Sequence, residues 1–452
     1  MTTLDVPRKK EPGDGLRYGP GEIDTLVWTA VFGPEADKTA ARREIRREAA
    51  ARGILPASIL PLYEARARGE VSGFTVPAIN IRTLAYDSAR AVFRTAKKAD
   101  AGAFIFEIAR SEIGYTEQRP AEYAAVVLAA AVREGWKGPV FLQGDHFQTN
   151  AKKMKSDPAK EVKAIEDLIL EAIAASFYQI DIDTSTLVDL SRPDRDAQQK
   201  PNYENCAHFT RFIREHEPKG VEISVGGEIG EVGKENSTPE ELRAYMEGYR
   251  RGIGGAKGIA KVSIQTGSAH GGMVAPDGTL KKMSIDFDVI RRISKIAREE
   301  YRMAGAVQHG ASTLPEHDFG LFPEYDTAEI HLATGFQNMV LDHPVLPAVL
   351  RETINRWVTD NAGSERKAGD SPEQFLYKSR KKALGPFKEA LWNLPVGTRD
   401  AIAADLEAKF DFLFGQLKAG GTRAIVERYV HRVEVPDNDA SHQFVRDDEA
   451  GD

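Results

Sequence analysis

Residues 139–146 read PVFLQGDH and residues 177–185 read FYQIDIDTS, two short runs with the length and composition of buried strands. The segment between them contains KEVKAIEDLILEAIAAS (160–176), which has the amphipathic pattern of a helix. A strand, a helix and a second strand in this order predict a parallel pair, because parallel neighbours need a crossover connection. This stretch therefore indicates a βαβ unit.

The same alternation continues on both sides of this unit. Helical segments separate six further runs: FTVPAIN (74–80), GAFIFEI (102–108), VEISVGGEIG (221–230), AKVSIQTGSAH (260–270), AGAVQHGAS (304–312) and TAEIHLAT (327–334). Eight such units predict an α/β fold, a (β/α)8 TIM barrel. A doubly wound sheet is the alternative, but no GxGxxG motif follows the first strand. One helix is expected to begin at a capping box of Thr238 and Glu241, with Pro239 at its first position.

The predicted barrel occupies residues 73–345. Residues 1–72 are interpreted as an N-terminal arm and a charged helical lead-in. Residues 346–452 are interpreted as a C-terminal helical extension with a loose, acidic end. Extensions of this size on a barrel lead us to expect a homodimer or a larger homo-oligomer.

The composition narrows the classes of partner. The chain has 452 residues, 41% of them hydrophobic, and a net charge of −7, a globular balance that argues against nucleic-acid binding. The longest apolar run, residues 123–132, is too short to span a bilayer, so no membrane association is expected. The N-terminal residues show no apolar segment of a secretory signal, and the single cysteine, Cys206, excludes an intramolecular disulfide. Both observations favour a cytoplasmic location, with Cys206 as a buried, inert thiol.

Three of the 10 histidines lie where predicted strands end: His146, His270 and His309. The intervening strands deliver Asp183 and Glu228 to the same end. Functional groups of a barrel project from the C-terminal ends of its strands, so three imidazoles would converge at one mouth. Three neutral nitrogen ligands suit Zn²⁺ or a similar divalent ion and leave one coordination position open. A single histidine at a strand end is more often structural, but three of them beside glycines favour a metal site.

Two more carboxylates lie near these strand ends. Asp145 directly precedes His146 and is a candidate general acid or base. Glu107, inside FIFEI, either points into the site or pairs with an arginine, and the sequence favours neither interpretation. No predicted strand ends in a lysine placed for Schiff-base chemistry.

In these residues the sequence resembles the class II, metal-dependent ketose-bisphosphate aldolases of the fructose- and tagatose-bisphosphate type. The resemblance extends from about Val76 to Val340 and rests on an ordered set of motifs: VPAIN, GDH, DIDTS, GGEIGEVG, GSAHGG and QHGAST. It implies a zinc-dependent lyase that cleaves or forms a C–C bond in a ketose or ketose phosphate through a metal-stabilised enediolate. The implied partner is therefore a small sugar or sugar phosphate.

The resemblance also implies roles for the metal-site residues. Zinc, or another divalent ion, would be held by His146, His270 and His309. Glu228 matches a carboxylate of an alternate metal position, and Asp183 matches a residue that can serve a second, monovalent or divalent cation.

Catalytic and substrate-binding roles follow from the same resemblance. Asp145 would exchange a proton with the aldehyde-derived hydroxyl. Glu235, with Glu231 as the alternative, would act as the base at the enediolate carbon. The residues expected to contact the substrate are Asn80, Gly271, Gly310, Ser312, His331 and Thr334.

The sequence departs from the family pattern on the substrate side. Its last strand reads His-Leu-Ala-Thr-Gly over residues 331–335, where the family has Asn-Val-Asp-Thr-Asp. Gln337 replaces an arginine that holds the distal phosphate, and Phe147 follows Asp-His where a glycine is usual. These departures predict a retained metal site with an altered sugar and phosphate site. The alternatives are a ketose or ketose phosphate epimerase or isomerase with the same metal site, and a non-catalytic aldolase-like partner subunit.

Overall fold

The computed structural model describes residues 22–230, 235–267, 275–277, 279 and 284–435. Eight parallel strands form a closed barrel in chain order, and the last strand pairs with the first. They are β1 (Val76–Asn80), β2 (Ile105–Ala109), β3 (Leu142–Gln148), β4 (Gln179–Asp183), β5 (Ser224–Glu228), β6 (Lys261–Ile264), β7 (Ala306–Gln308) and β8 (Glu329–Leu332). The predicted (β/α)8 barrel is confirmed. A separate two-residue pair joins Leu55–Pro56 to Pro139–Val140.

Helices surround the barrel and extend from both of its ends in sequence. The α-helices of the described chain are α1 (Glu22–Phe32), α2 (Glu35–Ala51), α3 (Leu60–Ala67), α4 (Ala85–Lys98), α5 (Arg110–Thr116), α6 (Pro120–Arg133), α7 (Ala151–Ser156), α8 (Pro158–Ala174), α9 (Arg195–His216), α10 (Pro239–Ile253), α11 (Phe287–Glu299), α12 (Leu321–Glu324), α13 (Thr334–Leu341), α14 (Ala348–Asn361), α15 (Pro372–Ser379), α16 (Lys388–Trp392), α17 (Val396–Gln416) and α18 (Arg423–Tyr429). Short 3-10 turns lie at Ser185–Leu187, Ala311–Thr313, Glu316–Asp318, Gly363–Glu365 and Arg380–Ala383. None of the described helices is long and apolar enough to cross a membrane.

The helix α3 covers the N-terminal end of the barrel. Its Leu62 and Tyr63 belong to a buried cluster with Val76, Ala260 and Ala328, which lie where strands begin. The Tyr63 hydroxyl reaches further inward and donates to the Glu329 carboxylate. With this end covered, the opposite, C-terminal mouth is the end at which a ligand can reach the strand tips.

Helices that precede and follow the barrel strands in sequence pack on the barrel wall. Helices α1 and α2 pack against α6, and α17 packs against α4. Arg399 of α17 forms a buried ion pair with Asp87 of α4, with Nη1 3.1 Å from Oδ2. Hydrophobic contact and this pair together fix the C-terminal helices to the barrel.

Two local expectations are also confirmed. Thr238 Oγ1 accepts from the Glu241 backbone N–H at 3.2 Å, and Glu241 Oε2 accepts from the Thr238 backbone N–H at 2.8 Å, as a capping box requires. Cys206 is buried, and burial raises the pKa of its thiol to about 12. A thiol with so high a pKa carries almost no reactive thiolate.

Candidate active site

The strand β3 has an irregularity at the residues Asp145 and His146. Its register with β4 shifts between Gly144 and Phe147, and His146 has a positive φ of 40°. Side chains of a regular strand alternate between faces, but a bulge changes the direction of a side chain. Asp145 Oδ1 lies 3.1 Å from His331 Nδ1, and His146 Nδ1 lies 3.4 Å from Glu228 Oε2. Asp145 and His146, although adjacent in sequence, therefore both belong to the same group of polar side chains.

The residue after this pair, Phe147, packs back onto the strand. Its side chain is fully buried, and a Cβ on Gly144 would lie 2.4 Å from its ring. The phenylalanine that departs from the family pattern is therefore accommodated by a glycine three residues earlier.

A candidate metal site lies at the C-terminal ends of β3, β5 and β7. One potential ligand atom from each of His146, Glu228 and His309 lies within 4.8 Å of the other two. The ring centroids of His146 and His309 are 4.2 Å apart. His270, the third predicted imidazole ligand, lies outside the described residues, six positions after β6 ends.

Both described histidines have partners that orient their rings. His146 Nδ1 lies 2.9 Å from Asp183 Oδ2, and His309 Nε2 lies 2.9 Å from Ser263 Oγ. Asp183 also accepts hydrogen bonds from Gln148 and from Ser185. A carboxylate beside Nδ1 favours the proton on that nitrogen and makes Nε2 the coordinating atom, an arrangement common behind metal-binding histidines.

The electrostatics of this pocket suit a divalent cation. Burial raises the pKa of Glu228 to about 7, and the nearby Asp183 carboxylate adds to this shift. Burial opposes a charge on His146, but Asp145 and Glu228 outweigh it and raise the pKa of the ring well above its usual value. Imidazoles and a carboxylate are ligands that zinc accepts, and a cation here would reduce the repulsion among buried acids.

Comparison with known proteins identifies the family of this chain. Residues 63–391 match the family described as fructose-bisphosphate aldolase class-II. The chain belongs to this aldolase family. Membership makes an aldolase-type lyase its broad functional class. No curated protein gives a significant match to the chain.

Solved structures resemble the aldolase chain at low identity. A Sinorhizobium meliloti 1021 protein that carries the name "probable tagatose 6 phosphate kinase" is 16% identical, with a TM-score of 0.51 over 78% of this chain and 93% of that one. The fructose-bisphosphate aldolase of Campylobacter jejuni is 16% identical, with a TM-score of 0.49 over 81% and 96%. The YdjI aldolase of Escherichia coli K12 is 14% identical, with a TM-score of 0.45 over 80% and 98%. At these identities the likeness concerns the fold alone.

The aldolase barrel has an unusually polar interior beneath the candidate metal site. Lys261 Nζ lies 2.9 Å from Asp181 Oδ2 and also donates a hydrogen bond to Glu329. The Gln143 amide donates to both Glu107 and Glu329. Barrel interiors are normally filled by branched apolar side chains. Glu107 therefore points inward, and its described partners are Gln143 and His331 rather than an arginine. Burial raises its pKa to about 7, although His331 opposes the shift.

Replacing Lys261 with methionine is expected to destabilise the aldolase strongly. Lys261 is 1% exposed, and its loss would leave Asp181 and Glu329 buried without their shared cation. Breaking a buried ion pair in this way costs about 3–5 kcal/mol. Chemical denaturation would measure the loss of unfolding free energy.

The control variant is Lys257→Met. It removes a partly exposed lysine paired with Glu64 and Glu222 and should cost less than about 1 kcal/mol. Equal losses in the two variants would contradict a special role of the buried cation.

Several residues expected to contact substrate lie at the same mouth. Asn80 Nδ2 donates to Glu112 Oε2 at 2.5 Å, while its buried Oδ1 accepts no hydrogen bond from the described residues. An unsatisfied buried carbonyl is costly, so this oxygen suits a ligand donor. Gly310 has a φ of 70° and begins a 3-10 turn, in which Ser312 Oγ accepts from the Gly335 backbone N–H at 3.1 Å.

Other predicted residues have different positions. His331 is only 4% exposed and lies in the polar interior, between carboxylates. Glu235 is exposed, directly after residues 231–234, which include Glu231 and lie outside the description. Gly271 also lies outside the described residues. The structure thus brings together the strand-tip residues but does not place Glu235 in their cluster.

Arg82 is a residue at the mouth that no sequence motif indicated. It follows β1, and its Nη1 donates to Thr334 Oγ1 at 3.3 Å and lies 3.4 Å from Gln337 Oε1. Its other terminal nitrogen pairs with the buried Glu112. A cation therefore stands beside the position where the family has its arginine. The sequence contained a signal, an arginine two residues after a strand end, but nothing indicated which way it points.

Proposed function

We propose that the chain is a metal-dependent aldehyde-lyase that cleaves or forms a C–C bond in a ketose or ketose phosphate. The observation that carries this proposal is the cluster of His146, Glu228 and His309 beside Asp145, at the mouth of a barrel of the class II aldolase family. This arrangement combines candidate metal ligands with a buried acid/base group.

The residues proposed to hold the metal are His146, His309 and His270, with Glu228 as the carboxylate of an alternate metal position. Zinc or another divalent ion, when bound, supplies Lewis-acid stabilisation of negative charge on a carbonyl oxygen. Asp183 supports His146 through the 2.9 Å contact behind its ring. Asp183 is also the proposed ligand of a second cation, in addition to orienting His146.

Two carboxylates divide the proton transfers. Asp145 takes the proton from the substrate hydroxyl whose carbon leaves as the aldehyde, and it returns a proton in the condensation direction. Glu235 is the proposed acid/base at the carbon that loses its bond, where a proton must be added after cleavage. Because Glu235 is exposed, this assignment requires the loop that carries it to approach the mouth when substrate binds.

The rim residues form the proposed binding surface for the sugar. Asn80 Oδ1 can accept from a hydroxyl, and the backbone and side-chain donors at Gly271, Gly310, Ser312 and Thr334 can serve a phosphate. We further propose a cytoplasmic homo-oligomer, in keeping with the buried Cys206 thiol and the helical extensions.

A panel assay tests the proposed reaction. The purified chain, loaded with Zn²⁺, is incubated with fructose and tagatose as free sugars, monophosphates and bisphosphates, and the products are identified by NMR. Release of a triose or triose phosphate supports the lyase. An epimer or isomer without cleavage would instead identify the same site as an epimerase or isomerase. No product with any ketose would leave a non-catalytic partner subunit as the better interpretation.

Fructose 1,6-bisphosphate is expected to be a poorer substrate than a ketose monophosphate or a free ketose. Gln337 cannot supply a charge, and the nearby Arg82 is already neutralised by Glu112. Losing a charge-assisted contact to phosphate costs about 1.5–3 kcal/mol, or roughly tenfold to a hundredfold in affinity. Comparison of kcat/KM across the panel measures the difference. A preference for the bisphosphate above tenfold would show that Arg82 does hold a phosphate, and Arg82→Met should then abolish that preference.

A further inference from the structure

A cavity of about 270 Å³ lies at the N-terminal end of the barrel, away from the mouth that carries the candidate metal site. Its walls come from α3, from the last turns of α10 with the connection that follows, and from the turn before β7. That connection and that turn lead into β6 and β7 where these strands begin. The cavity is therefore separate from the strand ends at which the sugar is proposed to bind.

The floor of this cavity is aromatic and apolar. Tyr63 of α3 and Tyr249 of α10 line it and are almost fully buried. Met246, Ile253 and Ile259 line it as well and are also buried. The volume lies just below the range of about 300–1,000 Å³ that is usual for pockets of drug-sized ligands. Such a cavity suits a small ligand with a compact organic body.

One of the three cationic side chains that line the cavity is neutralised. Lys257 Nζ lies 2.9 Å from Glu64 Oε1 and 2.6 Å from Glu222 Oε2. Glu64 is also the one carboxylate among the residues that line the cavity. The acid in the cavity wall therefore already has its cation, and it does not compensate the other two.

Those two cations are Arg250 and Arg302, and neither forms an ion pair with any acidic side chain in the described part of the chain. The Arg250 guanidinium lies over the ring of Tyr301, with Cζ 4.6 Å from its centroid. Its Nη2 donates to the Glu300 carbonyl at 3.3 Å, which leaves its charge uncompensated. Two guanidinium charges thus remain available at one cavity.

The backbone at Arg302 is unusual for an arginine. Arg302 lies just past the end of α11 with a φ of 57°, and its N–H donates to the Arg298 carbonyl at 3.1 Å. Glycine is the common residue at such a helix end, because other L-residues are sterically strained in the left-handed region. Residues held in strained conformations concentrate at ligand sites. The position thus favours a role for the arginine side chain itself.

We propose that this cavity is a second ligand site, which binds a small phosphomonoester. At neutral pH a phosphomonoester is close to a dianion, so its charge matches the two uncompensated guanidinium groups. Each guanidinium can donate charge-assisted hydrogen bonds to phosphate oxygens. The organic body of the ligand would lie on the floor formed by Tyr63, Tyr249 and Met246. No residue of the cavity belongs to the candidate active site, so the proposal does not depend on the lyase reaction.

Isothermal titration calorimetry of the full chain tests the ligand class, with phenyl phosphate as the probe. We expect saturable binding of phenyl phosphate. Phenyl sulfate has nearly the same shape but one negative charge, and inorganic phosphate lacks the organic body, so each should bind about tenfold more weakly. Equal affinity for phenyl sulfate would refute the match to two charges. Equal affinity for inorganic phosphate would refute the role of the floor, and absence of saturable binding would reject the site.

Substitutions at the two arginines test the location. Arg250→Gln and Arg302→Gln should each raise the Kd for phenyl phosphate roughly tenfold to a hundredfold, the effect of losing a charge-assisted contact. Arg292→Gln is the matched control, because Arg292 is an exposed arginine of α11 whose Nε donates to the Asp288 carbonyl at 3.3 Å and which does not line the cavity. The control should keep wild-type affinity. An equal loss in Arg292→Gln would reduce the effect to general surface charge and overturn the proposal. Thermal unfolding verifies that all three variants, each changed at an exposed position, remain folded.

A crystal structure with phenyl phosphate separates this cavity from the mouth, which is also proposed to receive phosphates. Phosphate oxygens within hydrogen-bonding distance of Arg250 and Arg302 would support the second site. Phenyl phosphate bound at the mouth alone would reject it. These binding measurements need no turnover, so a chain that cleaves no ketose would refute the proposed lyase and leave this test intact.

Discussion

The Asp145→Asn variant is expected to keep its metal and its fold while its turnover falls by about 10²–10⁴-fold, the usual effect of losing a general acid or base. Burial opposes the ionisation of Asp145, but His146 and His331 hold its pKa well below the usual range, so the side chain is an ionised carboxylate, the form that can take a proton. Asparagine preserves the shape and removes only this capacity.

Steady-state kinetics, zinc content by mass spectrometry and thermal unfolding together check this expectation. Asp167→Asn is a suitable control, because Asp167 is also buried but pairs with Lys163 on α8, outside the mouth. The control should keep nearly full activity. Near wild-type turnover in Asp145→Asn would show that Asp145 is structural.

Replacing His309 with alanine is expected to remove most of the bound metal and, with it, the activity. The wild-type chain should copurify with about one divalent ion and lose it to EDTA, since a catalytic site of this type has three protein ligands and one open position. Removal of one imidazole from the cluster with His146 and Glu228 weakens the site sharply. The barrel itself should remain folded, because the ion is not part of its hydrophobic core.

Inductively coupled plasma mass spectrometry measures the metal, and circular dichroism verifies the fold. His317→Ala serves as the control, since His317 is exposed in a 3-10 turn shortly after β7. Full metal stoichiometry in His309→Ala would falsify the assignment of His309 as a ligand. Loss of metal in both variants would point to general destabilisation of this segment.

Much of the site was predictable because it depends on where strands end. His146 lies on β3, His309 directly follows β7, and Glu228 ends β5. Parallel strands present all their C-terminal ends at one mouth, so residues far apart in sequence had to converge there. The direction of the Glu107 side chain was undecided, since one strand alone does not show which of its faces is internal.

Other parts of the site depend on contacts that no local pattern contains. Nothing in the sequence marks Lys261 as the buried partner of Asp181 and Glu329, because lysine is usually exposed and its partners lie on β4 and β8. Arg82 is similar, since its contacts with Thr334 and Glu112 join the first strand, the last helix of the barrel and α5. Such long-range pairs exist only after the barrel has closed.

The sequence by itself determined the order of the eight strands, their common direction and the set of polar residues at their ends. These follow from hydrophobic periodicity and from the need of parallel strands for crossover helices. The tertiary structure alone decided which way the polar residues face. A shift of register at β3 brings Asp145 and His146 into one group of polar side chains. Pairing of β8 with β1 and β7 places His331 among four carboxylates. Side-chain direction in a strand changes with every residue of register, and register is fixed by the neighbouring strands rather than by the strand's own sequence.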